Sequence, residues 1–70
     1  MMMWFKLSVK ESDPKFVSDA IGEITKLVCD NRHYASEMYM NPTEQMLYFT
    51  TSHNLKQQVE ETGFKQTDVT

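Results

Sequence analysis

The sequence predicts a small α+β fold in which one long helix packs against an antiparallel sheet. The first observation behind this prediction is the stretch 13–30, where apolar residues recur at steps of three and four and merge into one stripe along a helix. The second is a set of three short runs, 3–10, 33–40 and 45–51, whose β-forming or alternating residues are typical of strands. Because an apolar stripe must be covered, the helix and the strands are expected to share one core.

The long helix is expected to begin at Asp13 and to end near Asp30. Ser12 or Asp13 can cap its N-terminus, and Pro14 suits its first turn, where a missing N–H costs nothing. Asn31 can adopt the left-handed geometry of a helix terminus. The predicted apolar stripe consists of Phe16, Val17, Ala20, Ile21, Ile24, Leu27 and Val28.

The three predicted strands comprise one at the N-terminus and two that form a hairpin. In the run 3–10, Phe5, Leu7 and Val9 point to one face, and Trp4, Lys6 and Ser8 point to the other. The runs 33–40 and 45–51 flank Asn41 and Pro42, which supply turn chemistry. In the second arm of the hairpin both faces are partly apolar: one carries Leu47, Phe49 and Thr51, the other Met46, Tyr48 and Thr50.

A second, shorter helix of about two turns follows the hairpin. Ser52 or Asn54 can cap it, Leu55 and Val59 share one face, and Gly63 can terminate it before the apolar Phe64. The last residues, 65–70, form either a brief closing strand or a loose tail.

The order of elements, βαββα and with the closing strand βαββαβ, is that of a two-layer ferredoxin-like sandwich with both helices on one face of the sheet. The alternative is a three-stranded sheet with an unpaired tail. The handedness rule for crossover connections places the first two strands side by side if they run parallel. Residues 1–70 are expected to form a single domain, because no linker, repeat or low-complexity tract divides them.

In such a sandwich the second face of the sheet is left uncovered by the helices. Its expected residues are Trp4, Lys6, Met46 and Tyr48, joined by either Tyr39 with Glu37 or Met38 with Met40. Trp, Tyr and Met are enriched where proteins meet proteins. The sequence therefore predicts a partner-binding surface made of Trp4, Lys6, Tyr39, Met46 and Tyr48.

Composition narrows the classes of function. The formal net charge of −3 and a pI near 5.2 provide no basic field for nucleic acid. The single cysteine, Cys29, excludes an intramolecular disulfide, which favours an intracellular protein that gains core by self-association. Lys6 interrupts the apolar N-terminus too early for a secretory core or a membrane span, so we expect a cytoplasmic protein without membrane contact.

Metal binding and catalysis are not predicted. Cys29, His33 and His53 are too few for a structural zinc site, and the chain has no nucleophile elbow or phosphate-binding loop. Glu60 and Glu61 are adjacent on a helix and face different directions, so they are interpreted as solvated surface charge. No cofactor is expected.

The sequence therefore predicts a non-enzymatic module that binds another protein, regulates or inhibits it, and self-associates as a homo-oligomer. Small proteins of viruses and mobile elements have this character, which suggests such an origin. The alternative function is binding of single-stranded RNA or DNA through aromatic side chains on the open sheet face.

Overall fold

A computed structural model of the chain describes residues 1–68 and contains four strands and two α-helices. The elements are β1 (Met2–Ser8), α1 (Pro14–Asp30), β2 (Glu37–Asn41), β3 (Met46–Ser52), α2 (Lys56–Glu61) and β4 (Lys65–Thr67), with a 3-10 turn at His53–Leu55 leading into α2. The strands form one antiparallel sheet in the order β2-β3-β1-β4. The predicted α+β class is confirmed, and the arrangement is compatible with a two-layer sandwich. Two residues of the predicted tail, Val69 and Thr70, lie outside the described part of the chain.

The second arm of the hairpin inserts between the first two strands. β3 pairs along the whole of β1, with Phe5 opposite Phe49, and pairs on its other side with β2, with Tyr39 opposite Tyr48. The expectation that the first two strands are neighbours is therefore wrong. β1 and β2 do run parallel, since both are antiparallel to β3, but the hairpin folds back into the gap between them.

The core lies between one face of the sheet and the two helices. Phe5 and Phe49 on the central strands are buried with Ile24 of α1 and Val59 of α2, and none of these four side chains is more than 1% exposed. The ring of Phe64, just before β4, lies edge-on to the ring of Phe49 with centroids 6.2 Å apart. The remaining buried core residues are Leu7, Val17, Ala20, Leu47 and Leu55.

Phe16 departs from the predicted stripe. Its side chain is 47% exposed, although Val17 next to it is buried. The Phe16 ring lies directly over Gly63, which follows Thr62, the C-cap of α2, and has φ of +113°. Phe16 thus covers the junction between α2 and β4 rather than entering the core with Val17.

The ends of α1 are set by local hydrogen bonds. Of the two predicted caps, Asp13 is the one used, and its carboxylate accepts from the Lys15 amide at 2.8 Å. Asn31 ends the helix, but its φ of −128° is not left-handed, contrary to the prediction. Its side-chain amide instead donates to the Leu27 carbonyl at 2.9 Å. This bond satisfies a carbonyl at the helix end without a residue in the left-handed conformation.

The second strand is shorter than predicted, because residues 33–36 belong to the connection after α1. The Tyr34 amide donates to the Asn31 carbonyl at 3.0 Å, which closes a turn. The hydroxyls of Ser36 and Thr51 lie 2.9 Å apart, which ties the connection to β3. Strand β2 therefore begins only at Glu37. The other two predicted strands agree with β1 and β3 to within two residues at each end.

Gly22 lies in the middle of α1 with its Cα facing open space, and a Cβ at this position would meet no atom within 4 Å. Close backbone approach within the fold is therefore not its role. We expect Gly22→Ala to raise the free energy of unfolding by roughly 0.5–1 kcal/mol, because alanine forms helix better than glycine. Urea denaturation followed by circular dichroism measures this, and a lower urea midpoint in Gly22→Ala would contradict it.

Candidate functional site

The sheet face opposite the helices, called here the outer face, carries all five side chains that the sequence predicts as partner-binding. Residues paired across an antiparallel sheet share a face, so the register assigns the outer positions. Lys65, Lys6, Tyr48 and Tyr39 form one row across the sheet, and Thr67, Trp4, Thr50 and Glu37 form the next. Met46 lies one row further, between Ser8 and Asn41.

The register decides between the two faces proposed for β2. Tyr39 and Glu37 lie on the outer face, whereas Met38 and Met40 lie on the helix side, opposite Phe49 and Leu47. A sequence signal for this choice exists. The polar residues Glu37 and Asn41 have the same parity as Tyr39, and polar residues on one parity indicate the solvent face of a strand.

Trp4 and Tyr39 form an aromatic pair across the intervening strand β3. Their ring centroids are 5.7 Å apart and their planes differ by 25°, which is a stacked arrangement. Thr50 of β3 lies between Trp4 and Glu37 in its row and is only 5% exposed. Since the helices lie on the other side of the sheet, we attribute this burial to the large outer-face rings. The Thr50 hydroxyl donates to the Met3 carbonyl at 2.9 Å, so the buried polar group is satisfied.

Two carboxylates hold the tyrosine hydroxyls of the outer face. The Tyr48 hydroxyl donates to Glu44 Oε1 at 2.7 Å, and the Tyr39 hydroxyl donates to Glu37 Oε2. In each pair the hydrogen bond to the carboxylate raises the pKa of the tyrosine above its usual value near 10, with smaller contributions from desolvation and from the negative charge. Both phenols are hydrogen-bond donors to these carboxylates, and each acidic group lies beside an aromatic ring.

Charge on the outer face is divided between its two sides. Glu37 and Glu44 lie at the β2 side, whereas Lys6 and Lys65 are exposed neighbours at the β1–β4 side. The aromatic rings occupy the space between these two groups. The face thus has an apolar centre with carboxylates at the β2 side and lysines at the β1–β4 side, where the exposed Asp68 also borders the cleft beside Trp4. The side chains of Tyr39, Tyr48, Met46 and Trp4 remain wholly or partly accessible.

The residues considered for metal chemistry are dispersed. Cys29 is exposed near the end of α1, the His33 ring lies 4.1 Å from the Tyr34 ring, and His53 begins the 3-10 turn. Within residues 1–68, no three His, Cys, Asp or Glu side chains lie close enough together to hold a metal ion. Glu60 pairs with Lys56 at 3.0 Å on the surface of α2.

Sequence reasoning missed two parts of the outer face. It did not find the Tyr48–Glu44 hydrogen bond, for which the signal is a spacing of four residues across the tight turn of the hairpin. It also missed the contact between Trp4 and Tyr39. These residues are 35 positions apart in the chain, and nothing in their local pattern indicates that the rings meet.

Within the described residues, neither helix combines the length and apolar content needed to cross a bilayer. Comparison with protein-family models, with curated proteins and with solved structures finds no match to this chain.

Proposed function

We propose that this chain is a protein-binding module without enzymatic activity, which regulates or inhibits a larger protein by docking the outer face of its sheet. The observation that carries the proposal is the stacked Trp4–Tyr39 pair, which lies on the sheet face opposite the helices. Tryptophan and tyrosine are the side chains most often responsible for binding energy at protein interfaces. A partner suited to this face has an apolar centre flanked by a basic group near Glu37 and an acidic group near Lys6.

The rigidity of the outer face supports this proposal. The tyrosine hydroxyls are held by Glu37 and Glu44, and the Trp4 and Tyr39 rings hold each other. These contacts restrict the rotamers of the anchors before a partner arrives, which lowers the side-chain entropy cost of binding.

We also propose that the fold is a ferredoxin-like sandwich, for which the strand order β2-β3-β1-β4 and the shared core of both helices are the support. We further propose that the chain self-associates, that it is located in the cytoplasm, and that it originates from a virus or mobile element. Self-association is favoured because a 70-residue chain buries a small fraction of its surface and gains stability by covering more.

The alternative partner, single-stranded nucleic acid, has weaker support. Bases would stack on the rings of Trp4, Tyr39 and Tyr48, but the carboxylates of Glu37 and Glu44 are attached to two of these rings through hydrogen bonds and repel phosphates. Titration of labelled single-stranded RNA and DNA at low salt tests this alternative. Salt-sensitive quenching of Trp4 fluorescence would favour it over a protein partner.

The test of protein binding uses the double variant Trp4→Ser/Tyr48→Ser. Affinity capture from the native host identifies the partner, and its Kd is then measured with purified proteins. We expect the double variant to raise Kd by at least about thirtyfold, since interface hot spots contribute about 2 kcal/mol or more.

A matched control keeps the number of changes the same but places them on α2, at the exposed residues Gln57 and Gln58. Gln57→Ser/Gln58→Ser is expected to leave Kd unchanged. The circular dichroism spectrum must show that both variants fold. An unchanged Kd in a folded Trp4→Ser/Tyr48→Ser protein would rule out the outer face as the docking surface.

A further inference from the structure

We infer that β2 is a self-pairing edge strand, through which two copies of this chain join into a symmetric dimer with one continuous sheet. The inference rests on the self-association proposed above and gives it a surface and a register. That surface is the β2 edge with its adjoining groove, which borders the outer face proposed for the larger partner and shares Glu37 and Tyr39 with it.

The two edges of the sheet differ in how well they are protected. Proteins shield sheet edges with short strands, lysine or proline. Strand β4 has only three residues and carries the exposed Lys65 beside Lys6. Strand β2 has five residues, Glu37–Asn41, contains no lysine, arginine or proline, and carries a single charge, Glu37, at its first position. Its backbone therefore offers an unguarded row of hydrogen-bonding groups, whereas β4 does not.

An apolar groove runs along the same edge, between β2 and α1. Its walls include Ile24, Val28 and Met38, and Glu37 is the one charged residue among those that line it. Met38 and Met40 on the helix side of β2 are 37% and 49% exposed. Because the chain has a net charge of −3, two copies repel each other. The groove between β2 and α1, which has only one charged lining residue, is therefore well suited to contact a second copy.

The sequence of β2 is self-complementary in one antiparallel register that uses the whole strand. A two-fold axis at Tyr39 places Met38 opposite the partner copy's Met40, so that apolar side chains pair on the helix side. The same axis places Glu37 opposite Asn41 on the outer side, where the free side-chain N–H of the amide can donate to the carboxylate. No like charges oppose each other in this register.

Pairing through β2 closes the assembly at two copies. Each dimer then ends in two guarded β4 edges, so the sheet of eight strands, four from each copy, does not extend further. The two-fold axis is perpendicular to the sheet, which keeps both outer faces on the same side. The dimer thus presents two Trp4–Tyr39 pairs side by side, an arrangement suited to a partner with two equivalent sites.

The register is tested by cysteine cross-linking in a Cys29→Ser background, since Cys29 is exposed. Residue 39 lies on the axis, so the two Tyr39→Cys thiols are within disulfide range and mild oxidation should give a covalent dimer. Glu37→Cys is the matched control. In this register the Cα atoms of residue 37 in the two chains are about 14 Å apart, which is too far for a disulfide. The Glu37→Cys protein should therefore run as a monomer on a non-reducing gel.

The dimer itself is tested by sedimentation velocity over a range of concentrations. At high concentration, the molar mass derived for the unmodified chain should be twice the 8.2 kDa mass of one chain. Met38→Lys/Met40→Lys should raise the dimer Kd by more than about tenfold, because it brings four ammonium groups together. Gln57→Lys/Gln58→Lys adds the same charge on the exposed side of α2 and should leave the dimer intact.

Three results would overturn the inference: a monomeric wild-type chain at several hundred micromolar, an undisturbed dimer in folded Met38→Lys/Met40→Lys, or equal cross-linking at positions 37 and 39. Trp4→Ser/Tyr48→Ser is expected to dimerise normally. Loss of partner binding and loss of dimer are therefore separate outcomes, and either can fail without the other.

Discussion

Replacing Ile24 with alanine is expected to lower the free energy of unfolding by about 2–5 kcal/mol, the usual range for truncating a buried isoleucine. Ile24 is 1% exposed and belongs to the core cluster that joins α1 to the sheet. At roughly 0.05–0.15 kcal/mol per residue, a folded chain of 70 residues has a total stability of about 4–10 kcal/mol. The variant therefore loses a large share of its stability and should be partly unfolded near 37 °C.

The measurement is urea denaturation followed by circular dichroism, with two comparisons on the same helix. Ile24→Val removes one methyl group and should cost about 0.5–1.5 kcal/mol. Lys26→Ala changes an exposed side chain and should stay within about 0.5 kcal/mol of the unmodified chain. Ile21 and Leu27 are only half-buried, so their truncation should cost less than that of Ile24. A urea midpoint for Ile24→Ala equal to that of Lys26→Ala would show that α1 does not pack as described.

Gly63→Ala is expected to destabilise the chain by about 1–3 kcal/mol, the usual cost of an unfavourable backbone conformation. Gly63 has φ of +113°, which side chains with a Cβ rarely adopt. A Cβ there would also clash with Cζ of Phe16, so the exposed ring would have to swing away from the junction between α2 and β4.

A double-mutant cycle with Phe16→Ala separates the two contributions. Without the Phe16 ring, Gly63→Ala retains only the backbone cost, so its effect should be smaller but still destabilising. If Gly63→Ala left the urea midpoint unchanged in both backgrounds, the positive φ assigned to Gly63 would be wrong. Equal effects in the two backgrounds would show that Phe16 does not cover Gly63.

The elements of this fold follow from local sequence features. The three- and four-residue spacing in α1, the cap at Asp13 and the terminating Gly63 act over a few residues of chain, so each can be interpreted without knowledge of the rest. The alternation in β1 likewise assigns Trp4 and Lys6 to the face opposite Phe5. These features predict the element order and most of the core correctly.

Errors arise where a residue's environment depends on a distant part of the chain. Phe16 has the spacing of a core residue, yet its ring packs over Gly63, 47 positions further along the chain, and stays half exposed. Asn31 is a separate, local case: it has the chemistry of a left-handed cap, but its side-chain hydrogen bond to Leu27, four residues earlier, satisfies the helix end in another way.

The sequence by itself determined the α+β class, the boundaries of α1 and the set of side chains available to an outer face. Only the tertiary structure decided which face of β2 is turned outward, that Trp4 meets Tyr39, and that β2 is left as the unguarded edge. The physical reason is that helix periodicity and capping are short-range properties, whereas strand order and register depend on hydrogen bonds between segments far apart in the chain. The predicted run 33–40 is mixed on both faces, so the polar parity of Glu37 and Asn41 becomes visible only once the bounds of β2 are known, and the pairing of Tyr39 with Tyr48 sets the register.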